Sequence, residues 1–253
     1  MTSALRILDT GPAPARWNVA MTAALVRRHC DGEAPDTVRF HRYPPCVLIG
    51  NGQRLADAVD LAYCRRRGIE IARRVTGGGA VFMNSGMLAW DVVLDRRRQA
   101  GGLDDLTRHI CEAVAAGLAH LGAATRFDRP NAVVINGRKI SGSCGYVEGR
   151  SAVLQGTVLI EDDASEMASA LGLAEAELRR QLSCLAASLG ATPSIADVQA
   201  ALVTSLAQRL QGRPEYAKPD QAERTLATRM LEGEIGTDGY VMGSDQPILE
   251  VAP

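Results

Sequence analysis

The sequence predicts an α+β fold: a mixed, mainly antiparallel sheet with flanking helices. Three observations lead there. Short alternating apolar segments recur through residues 4–161, and helical periodicity takes over from Ser165 onward. The clearest strand pair is joined by Asn136-Gly137, the preferred two-residue hairpin turn. The strict β-α alternation of a parallel sheet is missing.

In order along the chain, Ala4 to Leu8 alternates as a strand that Gly11-Pro12 ends. Asn18 is placed to cap a helix reaching about His29, with Gly32 as its stop. Thr37 to Arg42 and Cys46 to Gly50 read as a strand pair around Pro44-Pro45. A helix over about Ala58 to Arg67 ends at Gly68, its basic last turn suiting the helix dipole. Ile69 to Arg73 and Met87 to Asp95 are strands, the latter with Leu88, Trp90, Val92 and Leu94 on one face. Thr107 to Leu121 carries a helical stripe of Ile110, Val114, Leu118 and Leu121. Asn131 to Ile135 and Arg138 to Ser143 flank the Asn-Gly turn, and Gly149-Arg150 turns into the strand Ala152 to Glu161. Leu178, Leu182, Leu185 and Leu189 then form one apolar stripe. Ser194 with Asp197 imitates a capping box ahead of Val198, Leu202, Leu206 and Leu210. Gly212 and Pro214 close that helix, and Gln221 to Leu231 suits one more.

The 253 residues suffice for a full core, and a net charge of -1 offers no attraction to nucleic acid or an anionic membrane. No signal peptide and no bilayer-length apolar run is visible, and the six cysteines form no Cys-x-x-Cys pair. The expectation is a cytoplasmic protein with reduced thiols, without nucleic-acid or membrane partners.

Residues 73–82, RRVTGGGAVF, stand out. Three consecutive glycines carry a high entropic cost, which is justified where a ligand approaches the main chain or a turn needs positive φ. Their N–H groups can cradle an anion, and Arg73 and Arg74 add charged forks suited to it. The plainer alternative is a glycine-rich hairpin with solvated arginines. Lys139 is surrounded by small residues in RKISGSCG, where a ligand can approach a compact positive charge. Thr157 follows Gly156 in an otherwise apolar strand and could donate a hydroxyl, or serve only as a good strand former. Neither a G-x-x-x-x-G-K-[ST] loop, a G-x-G-x-x-G fingerprint nor a G-x-S-x-G elbow occurs, and the four histidines lack metal-ligand spacing.

RRVTGGGAVF, then NAVVINGRKISGS, then QGTVLI, in that order and at these separations, resemble the lipoate–protein ligase A family, within the larger group of biotin and lipoate ligases and octanoyltransferases. RILDTGPAPARWNVAM and VLIGNGQ extend the resemblance over about residues 4–212. It implies the class II synthetase-like catalytic fold of the biotin and lipoate ligases. It also implies a two-step reaction: ATP and lipoate give lipoyl-adenylate, and a lysine of a lipoyl carrier protein or domain then takes the lipoyl group. On that resemblance Arg74, Thr76, Gly77, Gly78 and Gly79 hold the adenylate, with Arg73, Ser143 and Gly156 beside them. Asn131 holds the phosphate or its Mg2+, Lys139 neutralises the reacting oxygens, and Thr157 assists binding. Val75 and Phe82 line the acyl tunnel.

The sequence departs from the family pattern at Met83, Ala132 and Leu154-Gln155, and it lacks the Arg-Val-Thr-Asn stretch usual after Cys184. The expected division is a catalytic domain over 1–214 and a short extension over 215–253, with no full accessory domain. A separate small accessory subunit or an atypical carrier would fit these departures. The alternatives are an octanoyltransferase working through a cysteine thioester and a non-catalytic lipoate-binding protein. Relatives of the transferase type place their cysteine just before the strand that begins at Asn131, where this chain has Phe127-Asp128-Arg129-Pro130. Cys144 is the one thiol near Lys139 in sequence.

Overall fold

The computed structural model describes residues 3–99 and 101–243, so the last ten residues of the extension lie outside the described residues. The elements run β1 (Ser3–Pro12), α1 (Ala15–Cys30), β2 (Thr37–Arg42), β3 (Cys46–Ile49), α2 (Leu55–Ala58), α3 (Leu61–Arg67), β4 (Glu70–Arg73), β5 (Val81–Met83) and β6 (Met87–Asp95). A 3-10 turn at Arg96–Arg98 leads to α4 (Leu103–His120), β7 (Thr125–Asp128), β8 (Ala132–Ile135), β9 (Arg138–Glu148) and β10 (Ser151–Leu159). The chain continues through α5 (Ala164–Leu171), α6 (Glu175–Gln181), α7 (Leu185–Leu189), α8 (Ile195–Leu210), β11 (Gly212–Ala217), α9 (Gln221–Gly233) and α10 (Asp238–Met242).

Two sheets result. The larger has the order β11-β1-β2-β6-β10-β9-β8-β7 and the smaller β4-β3-β5. In the larger, β1 pairs in parallel with β2 and β11 while the remaining ladders are antiparallel, so the mixed, mainly antiparallel α+β expectation holds. One face of the large sheet packs Leu88, Trp90, Val92, Leu94, Leu154 and Val158 against α4 and α8. The small sheet, α1 and α5 enclose a second core around Val47, Ile49, Phe82 and Met83.

Several elements differ from the sequence reading. β2 and β3 do not pair: β2 joins the large sheet beside β6, whereas β3 is the centre of the small one. Asn18 is no cap, because α1 begins earlier, at Ala15 after Pro14. Its buried amide instead donates to the carbonyls of Ala13 and Arg42. α3 starts at Leu61, since Asp60 accepts from Tyr63 N at 2.7 Å and sets the boundary. α4 begins four residues before Thr107. The leucine stripe is split into α6 and α7, because Ser183 N donates to Lys139 O at 2.9 Å and pins Leu182 to Ser183 against β9. The segment around Phe127 is a strand, β7, and the residue-214 boundary falls within β11.

Candidate active site

The register of the large sheet decides which residues meet. In β9 and β10, Gln155 lies opposite Cys144 and Thr157 opposite Gly142, all facing away from the α4–α8 core. The β8–β9 ladder then slips, so that Val133 pairs with Ser141 but Val134 with Lys139. Without that bulge Lys139 would share the core face with Ser141, since strand side chains alternate. The bulge turns Ile140 into the core, fully buried, and lays Lys139 over Gly142. A Cβ on Gly142 would come within 2.5 Å of Lys139 Nζ, so the absent side chain is what makes room for the lysine. Burial lowers the Lys139 pKa from the ordinary lysine value, opposed by the nearby Cys144 and Cys111 thiols.

The glycine loop joins β4 to β5 in the facing small sheet. Gly78 alone of the three has positive φ (91°), and it packs against Cys144. Gly50 carries no Cβ because Gly78 O would lie 2.0 Å from it, so the two main chains cross in contact. Arg74 braces the loop: Nη1 donates to Leu48 O at 2.6 Å, and Nη2 donates to Gly77 O and Gly79 O, each at 2.9 Å. With the carbonyls held, the N–H groups of Gly77–Gly79 form no hydrogen bond among the described residues. Such a row of uncommitted amides has the chemistry to receive an anion.

A cavity of about 270 Å³ opens between the two sheets. Lys139, Gly78, Gly79, Arg74, Asn131, Ser143, Gly156 and Thr157 line it, as do the aliphatic Leu159, Met167, Leu178 and Leu182. The other expected residues sit elsewhere. Arg73 is buried away from the cavity, where it donates to the carbonyls of Gly50, Asn51, Gln53, Tyr240 and Val241 and so ties α10 to the root of the loop. Phe82 is fully buried in the second core and Val75 packs against it, so neither lines the cavity. Gly77 lies in the loop, and Thr76 is buried behind it. Gly156 is a packing glycine as well, since a Cβ there would be 2.1 Å from Trp90 Cζ2. Ser143 turns its hydroxyl toward α4, 3.1 Å from Cys111 Sγ. Asn131 Nδ2 donates to Ser143 O, and Asn131 O accepts from Ser143 Oγ at 3.2 Å.

Sequence reasoning missed a polar network running inward from the loop. Cys144 Sγ donates to Thr76 Oγ1 (3.1 Å), which donates to Gln155 Oε1 (2.8 Å), and Gln155 Nε2 donates to Asp91 Oδ1 (2.9 Å). Asp91 Oδ2 accepts from Thr22 Oγ1 at 2.8 Å and from Arg39 Nη1 at 3.2 Å, and Arg39 Nη2 donates to Asn18 Oδ1. Cys144, Gln155 and Asp91 line the cavity, together with His41 and Tyr43. The signal was Asp91 between Trp90 and Val92 in LAWDVVL, and Arg39 between Val38 and Phe40, charges flanked by apolar residues within strands. No group of three or more metal-ligating side chains is assembled among the described residues. Asn131 offers Mg2+ one neutral oxygen and no carboxylate beside it, a poor fit for a protein-held ion, so no step is assigned to a metal.

An amide-lined anion seat and a half-buried ammonium, both at the mouth of an aliphatic slot, match the carboxyl end of a small fatty acid. That defines the class: an enzyme of acyl activation or acyl transfer. The chain belongs to the lipoyl protein ligase A/B catalytic domain family, which residues 14–207 match. Its chemistry is therefore lipoyl or octanoyl transfer. The octanoyltransferase LipM of Symbiobacterium thermophilum is 28% identical over 94% of this chain and 97% of its own. Lipoate-protein ligase A subunit 1 of Thermoplasma acidophilum is 27% identical over 96% and 97%. The bipartite lipoate protein ligase of Thermoplasma acidophilum, solved in a study of an archaeal lipoylation system with its E2 lipoyl domain, superposes with a TM-score of 0.86 at 26% identity, covering 96% of this chain and 97% of that one. A lipoate-protein ligase A bound with ATP gives 0.86 at 25%, covering 96% and 100%. The biotin/lipoate ligase-like fold follows from these superpositions. Among the described residues no helix is long and apolar enough to cross a membrane.

Proposed function

We propose that the protein is an ATP-dependent lipoate–protein ligase that forms lipoyl-adenylate and transfers the lipoyl group to a lysine of a carrier domain. The observation that carries this reading is that Lys139 lines the same cavity as Gly78 and Gly79 of the glycine loop. In the first step a lipoate carboxylate oxygen attacks the α-phosphorus of ATP, and the bond to pyrophosphate breaks. The Lys139 ammonium offsets charge as it passes from the carboxylate to the phosphoryl oxygens, and the loop amides hold those oxygens in line. In the second step the neutral ε-amine of the carrier lysine attacks the acyl carbon, AMP leaves, and the amine's proton is released. Lys139 then faces the oxyanion of that step. Thr157 contributes a hydroxyl beside it, and Asn131 Oδ1 faces the nucleotide. The work is positioning and charge stabilisation, without a covalent enzyme intermediate.

The catalytic unit of this reading is residues 1–214, with 215–253 an extension whose described part, to residue 243, packs on it. The partner is a lipoyl carrier protein or domain in the cytoplasm, reached with or without a small accessory ligase subunit. A ligase of two chains among the similar proteins supports keeping that subunit in view.

A second reading is favoured by one observation: the Cys144 thiol lines the same cavity as Lys139. There it would attack an octanoyl thioester of an acyl carrier, releasing the carrier's thiol, and pass the acyl group on without ATP. Intact-mass analysis distinguishes the two. Incubation with lipoate, ATP and magnesium should release pyrophosphate and leave the protein mass unchanged after denaturation. Incubation with octanoyl-acyl carrier protein alone should leave no adduct. An octanoyl adduct mapped to Cys144 would replace the ligase reading with the transferase one.

A further inference from the structure

Lys139 is a cation without a counter-ion. Its ammonium forms no hydrogen bond or ion pair among the described residues, and the groups that favour its charge are the Cys144 and Cys111 thiols, with no carboxylate among them. The ladder registers show why. Residues opposite one another in neighbouring strands face the same way, so Asp128, Ala132, Gly142 and Thr157 form one row across β7, β8, β9 and β10. Lys139 lies over Gly142, and Ala132 is the next member of the row. The half-buried position beside the ammonium is therefore filled by a methyl group. The first acid along the row is Asp128, two strand spacings from Gly142, about 10 Å. Its carboxylate is already paired with Arg126 at 2.8 Å.

The other carboxylate of the site is no freer. Asp91 is the one acidic side chain lining the cavity, and it is fully buried with both oxygens engaged: Oδ1 by Gln155, Oδ2 by Thr22 and Arg39. Near Lys139 the walls offer a metal ion the amide oxygen of Asn131 and the hydroxyl of Thr157, both neutral. Mg2+ is ordinarily held in nucleotide sites by one or two carboxylates together with the phosphates. Here the ammonium and the uncommitted N–H groups of the loop give the seat one sign of charge, which attracts phosphate and repels a free divalent cation.

We propose that the protein makes no inner-sphere bond to a divalent ion: Ala132, standing beside Lys139 where a carboxylate would supply a ligand, leaves the compensating charge to the ammonium, and a metal ion reaches the seat only when coordinated by the nucleotide's own phosphates and by water. The inference deepens the ligase reading and rests on it. Two consequences follow from the ligand set. The protein without nucleotide has no affinity for a divalent ion. A nucleotide whose metal cannot exchange its ligands serves as well as one whose metal can.

The test takes two readouts on the full chain: Mn2+ binding followed by electron paramagnetic resonance, and lipoyl-adenylate formed from lipoate in a single turnover and separated by chromatography. Wild type without nucleotide should leave added Mn2+ free. The β,γ-bidentate tetraamminecobalt(III) complex of ATP exchanges ligands too slowly to bond a side chain. It should bind within about threefold of MgATP and yield lipoyl-adenylate. Ala132→Asp places a carboxylate beside Lys139 and should make the protein–ATP complex hold Mn2+ about tenfold more tightly than the wild-type complex does. Stoichiometric Mn2+ binding to nucleotide-free wild type, abolished by Asn131→Ala, would overturn the inference. So would lipoyl-adenylate from MgATP with none from the bound cobalt complex, or an Ala132→Asp protein of native circular dichroism that holds Mn2+ no better than the parent. Each of those results leaves the ligase standing. Lipoyl-adenylate from neither nucleotide complex would reject the ligase reading and this inference together.

Discussion

Lys139 reaches the cavity because Ile140 is an extra residue in its ladder and Gly142 has no side chain. Lys139→Ala should lower kcat/KM by about 10²–10³-fold, the scale of one lost charge-stabilising donor, while the melting temperature stays near wild type. The sign of the pH dependence follows from the lowered pKa of the lysine. The ammonium is the working form, so kcat/KM should fall as pH rises through a value below the ordinary 10.5. Bound anion restores the charge, so the alkaline limb of kcat should lie higher than that of kcat/KM, and parallel profiles would argue against the role. Two glycines separate function from packing. Gly142→Ala sets a methyl against the flexible end of Lys139, so activity should fall by about 10²-fold with little change in stability. Gly156→Ala meets the buried Trp90 ring, which has no room to retreat, and should cost about 1–3 kcal/mol in denaturant unfolding. Lys139 and the glycine loop were legible because glycines crowded around a cation have few uses. Arg73 was not, because a guanidinium that suits an anion equally suits five carbonyls, and the turn after β3 and the helix α10 that supply them are remote in sequence.

At the scale of elements, alternation and turn chemistry revealed the hairpin of β8 and β9, since Asn136 has positive φ and Gly137 follows it at 75°. Periodicity alone does not say which sheet a strand joins. Thr37–Arg42 and Cys46–Ile49 look like neighbours, yet Tyr43-Pro44-Pro45 carries the chain from one sheet to the other. The leucine stripe was legible as apolar but not as broken, because its interruption is a hydrogen bond to Lys139 O from a residue forty-four positions later in sequence. Coupling between the two sheets rests on Thr76 and Gln155, which connect the glycine loop to the Asp91–Arg39 pair. Gln155→Leu removes both bonds at similar volume and leaves Asp91 Oδ1 and Thr76 Oγ1 without those partners. Unfolding should become easier by about 1–3 kcal/mol, and KM for ATP should rise as the loop loses its tether. Thr76→Val should reproduce the KM effect while leaving the Gln155–Asp91 bond, and a KM unmoved in both variants would separate the network from the loop.

At the scale of the molecule, the C-terminal extension is woven into the fold as far as it is described, to residue 243. β11 completes the large sheet by pairing in parallel with β1, from Ser3 opposite Gly212 to Leu8 opposite Ala217. Beyond it α9 lies on α1, where Ala227 joins Leu8, Met21, Ala24 and Leu25 in a core of their own. Glu223 completes the capping box of α9 with Asp220 and reaches Arg6 at 2.6 Å with its side chain fully buried, and α10 receives Arg73. Little of this was visible from composition, since GRPEYAKPD contains two prolines and few apolar residues, and an edge strand needs neither continuity nor hydrophobicity. The consequence is quantitative. Ending the chain at residue 214 uncovers Leu8, Met21 and Leu25, each fully buried side chain contributing about 1.5–3 kcal/mol, and leaves Arg6 without its carboxylate. A loss of roughly 4–6 kcal/mol is a large share of the 5–15 kcal/mol typical of a domain, and should lower the melting temperature by about 10–20 °C. The same truncation removes the carbonyls that α10 offers to Arg73, so loop-dependent ATP binding should weaken even well below the melting temperature. Differential scanning calorimetry of 1–214 against the full chain, with ATP titration at 10 °C, measures both. A truncated chain that melts and binds ATP like the parent would make the extension an ornament on a self-sufficient catalytic unit; a destabilised one that binds ATP normally would limit its role to the sheet edge and the face of α1.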